Sequence, residues 1–357
     1  EQYLSPETIL TEAKKSYVVF QPLGIILGVM PWNFPFYQVI RFLAPVLMAG
    51  NGVVLKHASN VQGCALTLQK AVEDAGFPKG LFVNLNVSSE NVEAIIGHKS
   101  IRAVSLTGSE NAGKAVAAIA GKQIKKTVLE LGGSDTYIIL EDVDLNITVE
   151  QCVFGRLQNN GQTCIAAKRF IVLNEIYEEF LALFKQKMQE AILGNPMDRT
   201  SFYGPMARHD LRDEIHDQVI KSIGQGAKCI LGGRIPNDNG AYYPATILSE
   251  VTPGMEAFDK ELFGPVASVI RATDEEHAIK LANANDFGLG SGVFTSDHER
   301  GERIALRIES GSCFVNKLTA SDPRLPFGGV KNSGYGRELS YNGIKEFVNI
   351  KSVWVGQ

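Results

Sequence analysis

The stretch AVSLTGSENAGKAVAAIAGKQIKKTVLELGG, Ala103–Gly133, decides the fold. Its two apolar runs, AVSLTG and TVLELGG, are rich in β-branched residues and predict short buried strands. Between them, the residues from Glu110 to Ala120 have the apolar spacing of a helix. A strand, a helix and a second strand in this order indicate a parallel α/β unit.

The same alternation recurs along the chain. Further strand-like runs are YVVF, GIILGVM, GVVLK, LFVNLNV, TYIIL, RFIVL, KCILGG, GVFT and CFVN. Helical patterns span Val61–Ala75, Tyr177–Ile192 and Ala207–Ile223. No internal repeat is present. We therefore predict the α/β fold class, with mostly parallel sheets.

Composition excludes several function classes. With 357 residues, 45% hydrophobic and 21% charged, the chain has the profile of a globular protein of two or more domains. Its net charge of −4 and lack of Lys/Arg blocks argue against nucleic acid or membrane as a partner. The longest apolar run, Leu23–Met30, is too short to span a bilayer. Without a recognisable signal peptide, a cytoplasmic location is expected.

The cysteines and histidines do not form a metal or disulfide pattern. Five cysteines are widely spaced and include no C-x-x-C pair: Cys64, Cys152, Cys164, Cys229 and Cys313. That arrangement fits neither a disulfide framework nor a zinc site. The six histidines form no H-E-x-x-H motif. We predict no metal.

Cys164, in NNGQTCIAAKR, is the candidate nucleophile. Gly161 permits an irregular backbone that presents the thiol, and VEQCVFGRLQN before it is predicted to be a helix. Cys164 would then lie on a turn, where nucleophiles are exposed. The alternative is a structural thiol packed as a small hydrophobic residue.

Two other segments hold polar residues in unusual surroundings. Glu130 lies in the apolar run TVLELGGSD, where burial of a carboxylate raises its pKa toward the range of a general base. Its alternative is an ion-pair partner or an edge-strand residue. In MPWNFPF, two prolines stiffen a loop around Asn33, whose amide can donate to an oxyanion. An ordinary turn asparagine is the alternative.

Together, PWNFP, LELGG and GQTC, in this order, resemble the aldehyde dehydrogenase superfamily. The resemblance covers essentially the whole chain and includes LKHAS, SLTGS, ELFGPV and PFGGVKNSGYGRE. It implies that the Cys164 thiolate adds to an aldehyde carbon. The side chain of Asn33 and the backbone N–H of Cys164 would hold the oxyanion. Glu130 would activate the water that hydrolyses the thioester.

The resemblance also implies NAD or NADP as the cofactor, although no G-x-G-x-x-G motif occurs. Lys56 would reach the adenosine ribose or its 2′-phosphate, and Gly108 and Ser109 the pyrophosphate. Glu261 and Phe263 would position the nicotinamide ribose and ring, although Phe263 alone is as well explained by core packing. The remaining implied cofactor residues are Trp32 and Ser59. NAD-specific relatives often carry an acid at the position of Ser59, so NADP is not excluded.

A finer resemblance is carried by MPWNFPFYQVIR, LKHASN, LELGGSD, GPMARHDLRDE and FGGVKNSGYGRELS, which look most like bacterial succinate-semialdehyde dehydrogenases. This resemblance implies the substrate. By this resemblance, Arg41 would clamp the distal carboxylate of succinate semialdehyde; a helix-surface arginine is the alternative. Arg156, eight residues before Cys164 on the helix predicted to lead into it, is a second candidate. The relatives have an arginine six residues before the cysteine, where this chain has Gln158, and this departure argues against a clamp of two arginines. Ser321 would add a hydrogen bond.

The implied architecture has a Rossmann-type cofactor domain, an α/β catalytic domain and a small β projection for oligomerisation. Residues 1–22 and 341–357 would form the projection, which joins a homodimer or homotetramer. Residues 23–132 and 317–340 would form the cofactor domain, and 133–316 the catalytic domain. Family members carry a long segment before the position of Glu1, so we expect the N-terminal part of the cofactor domain to be missing.

Three other functions compete with this interpretation. Aldehyde dehydrogenases that transfer the acyl group to CoA lack the water-activating glutamate, so Glu130 argues against that class. An inactive truncated relative with a structural role would be expected to lose Cys164, Glu130 or Asn33, and all three are present. A thiol hydrolase pairing Cys164 with a histidine would leave the cofactor motifs unexplained.

Overall fold

Strands and helices alternate along residues 2–356, which the computed structural model describes. The strands are β1 (Glu7–Thr8), β2 (Lys15–Pro22), β3 (Ile25–Met30), β4 (Gly52–His57), β5 (Phe82–Asn84), β6 (Ile101–Thr107), β7 (Lys126–Glu130), β8 (Asp135–Ile139), β9 (Ala167–Leu173), β10 (Lys228–Leu231), β11 (Thr246–Ser249), β12 (Val266–Ala272), β13 (Phe287–Gly288), β14 (Gly290–Phe294), β15 (Ser312–Val315), β16 (Val330–Lys331), β17 (Gly334–Tyr335) and β18 (Val348–Val355). The α-helices are α1 (Tyr37–Met48), α2 (Gln62–Asp74), α3 (Val92–Gly97), α4 (Glu110–Lys122), α5 (Leu145–Leu157), α6 (Tyr177–Glu190), α7 (His209–Gly224), α8 (Glu256–Asp259), α9 (Glu275–Asn283), α10 (His298–Ala305) and α11 (Ser340–Ile344). The predicted strand–helix–strand of the opening stretch is confirmed as β6, α4 and β7.

The first compact unit comprises the residues up to Leu131, Ser321–Gly328 and the residues from Gly334 onward. It contains a six-stranded sheet of order β17-β7-β6-β3-β4-β5, parallel except for β17. The chain runs outward from β3 through β4 to β5, then returns to the other side of β3 as β6 and β7. Strand order therefore reverses between β3 and β6, and in such sheets ligands bind beyond the carboxyl ends of the strands at this point.

Both faces of this sheet are covered by helices, because neighbouring residues of a strand point to opposite faces. Ile26 belongs to the apolar cluster that also contains Phe42 of α1. Leu27, the next residue, packs in the cluster of Val116 of α4. Helix α4 lies close to the end of β7, since a Cβ at Gly113 would come within 2.6 Å of the Leu131 side chain. Glycine is therefore the residue that this close packing accepts.

A separate antiparallel sheet of order β1-β2-β18 also belongs to the first unit. Strands β2 and β18 pair along all eight residues of each, from Lys15 opposite Val355 to Pro22 opposite Val348. These strands fall in the ranges predicted for the β projection. Residues 1 and 357, the ends of those ranges, lie outside the described residues.

The second unit comprises Gly132–Ala320 and Gly329–Ser333. Its seven-stranded sheet has the order β10-β11-β12-β9-β8-β14-β15 and is parallel except for β10. Residues 317–320 and 329–333, predicted in the cofactor domain, cluster here; β16 pairs with β13, and the Ser333 hydroxyl donates to the Gly132 carbonyl at 2.7 Å. The predicted α/β class is confirmed, whereas the functions assigned to the domains stay predictions.

Candidate active site

In the first unit, the loop of residues 31–36 leaves the end of β3, beside the point where strand order reverses. The fully buried His57, at the end of β4, braces this loop, because its Nε2 lies 2.9 Å from the Pro35 carbonyl oxygen. Trp32 and Asn33 are half-buried within the loop. The predicted rigid loop around Asn33 is therefore supported by a histidine that the sequence did not single out.

Residues predicted to bind the cofactor follow the neighbouring strands of the same sheet. Gly108 and Ser109 come directly after β6, and the Ser109 hydroxyl caps α4 by accepting from the Ala112 N–H at 3.4 Å. Lys56 pairs with Val29 across β4 and β3, and burial lowers its pKa. Ser59 is exposed just beyond β4. The helix N-terminus after β6 and the lysine on β4 lie on either side of β3, at the switch of strand order. Such groups suit the pyrophosphate and ribose of a dinucleotide.

Glu130 ends β7 with its side chain buried; only 2% of the residue is exposed. Among residues 2–356, neither of its carboxylate oxygens has a hydrogen-bond partner. Burial, followed by the negative charge of Glu338, raises the pKa of Glu130 well above its ordinary value, while Arg41 and Arg337 oppose the shift. A buried carboxyl without a fixed partner, with a raised pKa, has the properties of a general base.

Arg41 lies in α1 and is buried, which rules out the helix-surface alternative. It forms an ion pair with Glu338, and its guanidinium carbon lies 4.2 Å from the centre of the Phe327 ring. Ser321, the predicted additional ligand, is half-buried in an irregular segment of the first unit. Glu338 is the residue that sequence reasoning missed here; its signal was an acid at the end of the quoted motif PFGGVKNSGYGRE.

In the second unit, Cys164 lies on a turn between α5 and β9, as predicted, and is half-buried. Left-handed backbone at three successive residues, Asn159, Asn160 and Gly161, breaks the helix before the turn. A Cβ at Gly161 would come within 2.3 Å of the Gly264 carbonyl oxygen, so the position needs glycine. The predicted irregular backbone at Gly161 is thus confirmed.

Arg156 has a different environment from the one predicted for a substrate ligand. The residue is 0% exposed and donates from Nη2 to the Gly161 carbonyl oxygen at 2.7 Å. Burial lowers the pKa of its guanidinium. The Arg156 side chain is therefore enclosed in the protein and braces the turn before Cys164, whereas a substrate ligand would have to reach the substrate. We do not retain Arg156 as a substrate ligand.

Glu261 and Lys168 connect the turn to the strand that follows it. Glu261 accepts from the Gly133 N–H at 3.0 Å and lies 3.4 Å from Nζ of Lys168. Lys168 has a fully buried side chain and donates to the carbonyl oxygens of Thr163 and Cys164. Phe263, two residues after Glu261, is half-buried rather than part of the closed core. Sequence reasoning missed Lys168, although it appears in the quoted stretch around Cys164.

Three of the other four cysteines are unsuited to act as nucleophiles. Burial raises the pKa values of Cys152, Cys229 and Cys313, for Cys313 to about 11, and so keeps these groups as thiols.

Within residues 2–356 no group of three His, Cys, Asp or Glu side chains is arranged to hold a metal ion. The helices in this range also lack a segment with the length and apolar character of a membrane span.

Comparison with known proteins gives one family for the whole chain. The sequence profile of the aldehyde dehydrogenase family matches residues 1–353. The chain is 48% identical to the succinate semialdehyde dehydrogenase [NAD(P)+] Sad of Escherichia coli K12, over 98% of this chain and 76% of that protein. It is 51% identical to the succinate-semialdehyde dehydrogenase [NADP(+)] 1 of Mycobacterium ulcerans, over 96% of this chain and 75% of that protein.

A solved structure agrees with these sequence comparisons. The crystal structure of succinic semialdehyde dehydrogenase from Streptococcus pyogenes, in complex with NADP+, has a TM-score of 0.97 to this chain. The two are 38% identical, and the match covers 100% of this chain and 78% of the other.

Proposed function

Because this chain belongs to the aldehyde dehydrogenase family, we propose that it oxidises succinate semialdehyde to succinate with NAD+ or NADP+. The observation that carries the reaction type is the buried carboxyl of Glu130, which has a raised pKa and suits the activation of water. Transfer to CoA, the competing reaction, has no use for such a base. The identity to two succinate-semialdehyde dehydrogenases supports the substrate.

In the first step, the Cys164 thiolate adds to the aldehyde carbon and forms a carbon–sulfur bond. The carbonyl electron pair moves to oxygen, and the resulting oxyanion accepts hydrogen bonds from the Asn33 amide and the Cys164 N–H. When the oxyanion collapses, a hydride leaves the same carbon and a thioester remains. The bound cofactor supplies the two-electron acceptor for that hydride.

Hydrolysis of the thioester completes the reaction. Glu130 takes a proton from water, and the hydroxide adds to the thioester carbon. The carbon–sulfur bond then breaks, which releases succinate and restores the Cys164 thiolate. A raised pKa helps here because Glu130 must hold the proton until it passes to solvent.

For the substrate, we propose that Arg41 binds the distal carboxylate. A guanidinium has five N–H donors, so it can pair with Glu338 and a substrate carboxylate at once. Ser321 is the proposed neighbouring hydrogen-bond donor. The cofactor residues are proposed as Trp32, Lys56, Ser59, Gly108, Ser109, Glu261 and Phe263. No acid stands at Ser59 to repel a 2′-phosphate, which supports use of NADP+ as well as NAD+.

We further propose a cytoplasmic homodimer or homotetramer joined through the β1-β2-β18 sheet. Among residues 2–356, β18 pairs in that sheet with β2 alone, and β18 exposes Ile350, Trp354 and Val355. An exposed strand edge with apolar side chains is a ready surface for another chain.

The test is to incubate the chain with succinate semialdehyde and either cofactor, and to follow absorbance of the reduced cofactor. We expect reduction that disappears in Cys164→Ala and persists in the control Cys64→Ala, which removes another half-buried thiol. Absence of reduction in a folded sample would contradict the proposal. Formation of succinyl-CoA in place of succinate on addition of CoA would favour the acyl-transfer class.

A further inference from the structure

We propose that Lys168 is a positioning residue, which fixes the peptide that carries the Cys164 N–H and favours the Cys164 thiolate. This inference rests on the proposed role of Cys164 as nucleophile. It concerns a lysine inside the second unit that would contact neither substrate nor cofactor.

The first argument is the geometry of the hydrogen bonds. Lys168 is the second residue of β9, and its side chain is 0% exposed. Its Nζ donates to the Thr163 carbonyl oxygen at 3.0 Å and to the Cys164 carbonyl oxygen at 2.6 Å. One ammonium group therefore holds the peptide before the Cys164 Cα and the peptide after it.

The contact with the Thr163 carbonyl oxygen matters for catalysis, because that oxygen belongs to the peptide before the Cys164 Cα. The Thr163 carbonyl and the Cys164 N–H belong to the same planar trans peptide, so fixing the carbonyl fixes the direction of the N–H. A charged donor on the carbonyl also polarises the peptide and strengthens the N–H as a donor. That N–H is the one proposed above to hold the oxyanion.

The second argument is charge. The ionisable groups that face Lys168 are Glu261, Asp135, Arg156 and Cys164. Burial lowers the pKa of Lys168, whereas the carboxylates of Glu261 and Asp135 and the Cys164 thiolate stabilise the ammonium, and Arg156 opposes it. The attraction between ammonium and thiolate is mutual, so a charged Lys168 lowers the pH at which Cys164 ionises.

Glu261 connects this arrangement to the cofactor. Its carboxylate is the nearest acid to Lys168, at 3.4 Å, and its side chain is 20% exposed. The same carboxylate is proposed to bind the nicotinamide ribose. Glu261 partly neutralises the positive charge of Lys168. If Glu261 is made neutral, more of that charge acts on Cys164, which should stabilise the Cys164 thiolate further. Lys168 and Glu261 should therefore act on Cys164 with opposite signs.

The experiment measures the ionisation of Cys164 without using turnover. The chain, free of cofactor, is alkylated with iodoacetamide from about pH 5 to about pH 10, and the Cys164 peptide is quantified by mass spectrometry. In Lys168→Met we expect the midpoint of the rate profile to rise by about one pH unit. Alkylation near neutral pH then falls about tenfold. The control Lys221→Met, at an exposed lysine of α7, should leave the profile unchanged.

Two further variants separate this role from a merely structural one. Glu261→Gln should lower the midpoint, and Lys168→Arg should keep it near that of the unchanged chain, because the positive charge remains. Loss of packing alone would change the rates equally at every pH or expose Cys164 in all three variants. If Lys168→Met does not fold, the profiles of Glu261→Gln and Lys168→Arg decide.

Unmoved midpoints, or midpoints that move with the same sign in Lys168→Met and Glu261→Gln, would overturn the inference even if the enzyme oxidises the aldehyde. Opposite shifts in a chain that does not oxidise any aldehyde would instead uphold the role of Lys168 and contradict the proposed function.

Discussion

Each of the two units has a cluster of charged groups around one buried ionisable side chain, and the charge of that side chain has opposite sign in the two clusters. We call the first the acidic cluster: Glu130, Glu338, Glu346, Arg41 and Arg337. We call the second the basic cluster: Lys168, Arg156, Arg169, Glu261 and Asp135. The first cluster surrounds a buried carboxyl, that of Glu130, and the second surrounds a buried ammonium, that of Lys168.

The difference shows that the charges around a buried group decide which of its ionisation states is favoured. In the acidic cluster, burial and a like charge together raise the pKa of Glu130, so that it readily takes up a proton. In the basic cluster, the buried ammonium of Lys168 favours an anion beside it, such as a thiolate. Burial penalises any charge, and the sign of the neighbours decides whether the site becomes a base or a nucleophile.

The largest effect should come from removing the base of the acidic cluster. Glu130→Gln should slow hydrolysis of the thioester by about 10²- to 10⁴-fold, because an amide cannot accept the proton of water. Acylation should remain, so a burst of reduced cofactor equal to one per active site should precede a slow steady rate. The rapid-mixing measurement would contradict the role of Glu130 if the steady rate were unchanged.

Arg41→Ala should give the next largest effect. We expect KM for succinate semialdehyde to rise about 10- to 100-fold, since a charge-assisted hydrogen bond contributes about 1.5–3 kcal/mol. KM for butanal, which has no distal carboxylate, should change far less. Equal changes for the two aldehydes would mean that Arg41 serves the acidic cluster alone, through its ion pair with Glu338.

Glu338→Gln tests whether a neighbouring negative charge sets the pKa of Glu130, through the pH dependence of thioester hydrolysis. The charge of Glu338 raises the pKa of Glu130, so its removal should lower that pKa. Deprotonated Glu130, the active form, would then persist to lower pH. The acid limb of the hydrolysis rate should move down by about one pH unit. A limb that stays in place or moves upward would show that like-charge repulsion does not set this pKa.

The prediction for Asp135, in the basic cluster, concerns stability and not the rate of reaction. Burial raises the pKa of Asp135 from 3.8 to about 7. Between these values the folded chain holds a proton that the unfolded chain releases, so the free energy of unfolding falls as pH rises through this range, by at most about 1.4 kcal/mol per unit. Above about pH 7 this contribution is constant.

Asp135→Asn should remove that dependence and keep an oxygen acceptor for the Gly290 N–H, which Asp135 binds at 3.1 Å. Hydrogen exchange of peptides from β8, corrected for the intrinsic pH effect, measures this locally. The same loss of protection with rising pH in both proteins would contradict the assignment to Asp135.

Features that depend on neighbouring residues could be predicted from the sequence. The turn at Cys164, the strand at Glu130 and the α/β class followed from spacing, glycine and apolar runs. Partners from distant segments could not be predicted in this way. Glu338 reaches Arg41 and Glu130 through the return of the chain to the first unit, and Lys168 acquires its role from an acid far along the sequence. The same holds for Arg156: its distance from Cys164 in the sequence suggested a substrate ligand, but its burial could not be predicted from that distance.

The pairing of β17 with β7, with Gly334 opposite Glu130, has a consequence for synthesis on the ribosome. Strand β7, which bears Glu130, gains β17 as its neighbour at the edge of the sheet. Strand β17 is synthesised after all seven strands of the second unit's sheet. At roughly 5–20 residues per second, the roughly 200 intervening residues take about 10–40 s to be translated. A nascent chain would carry Cys164 for much of that time without a completed acidic cluster. We therefore expect hydrolytic competence to arise late, after the nucleophile has emerged.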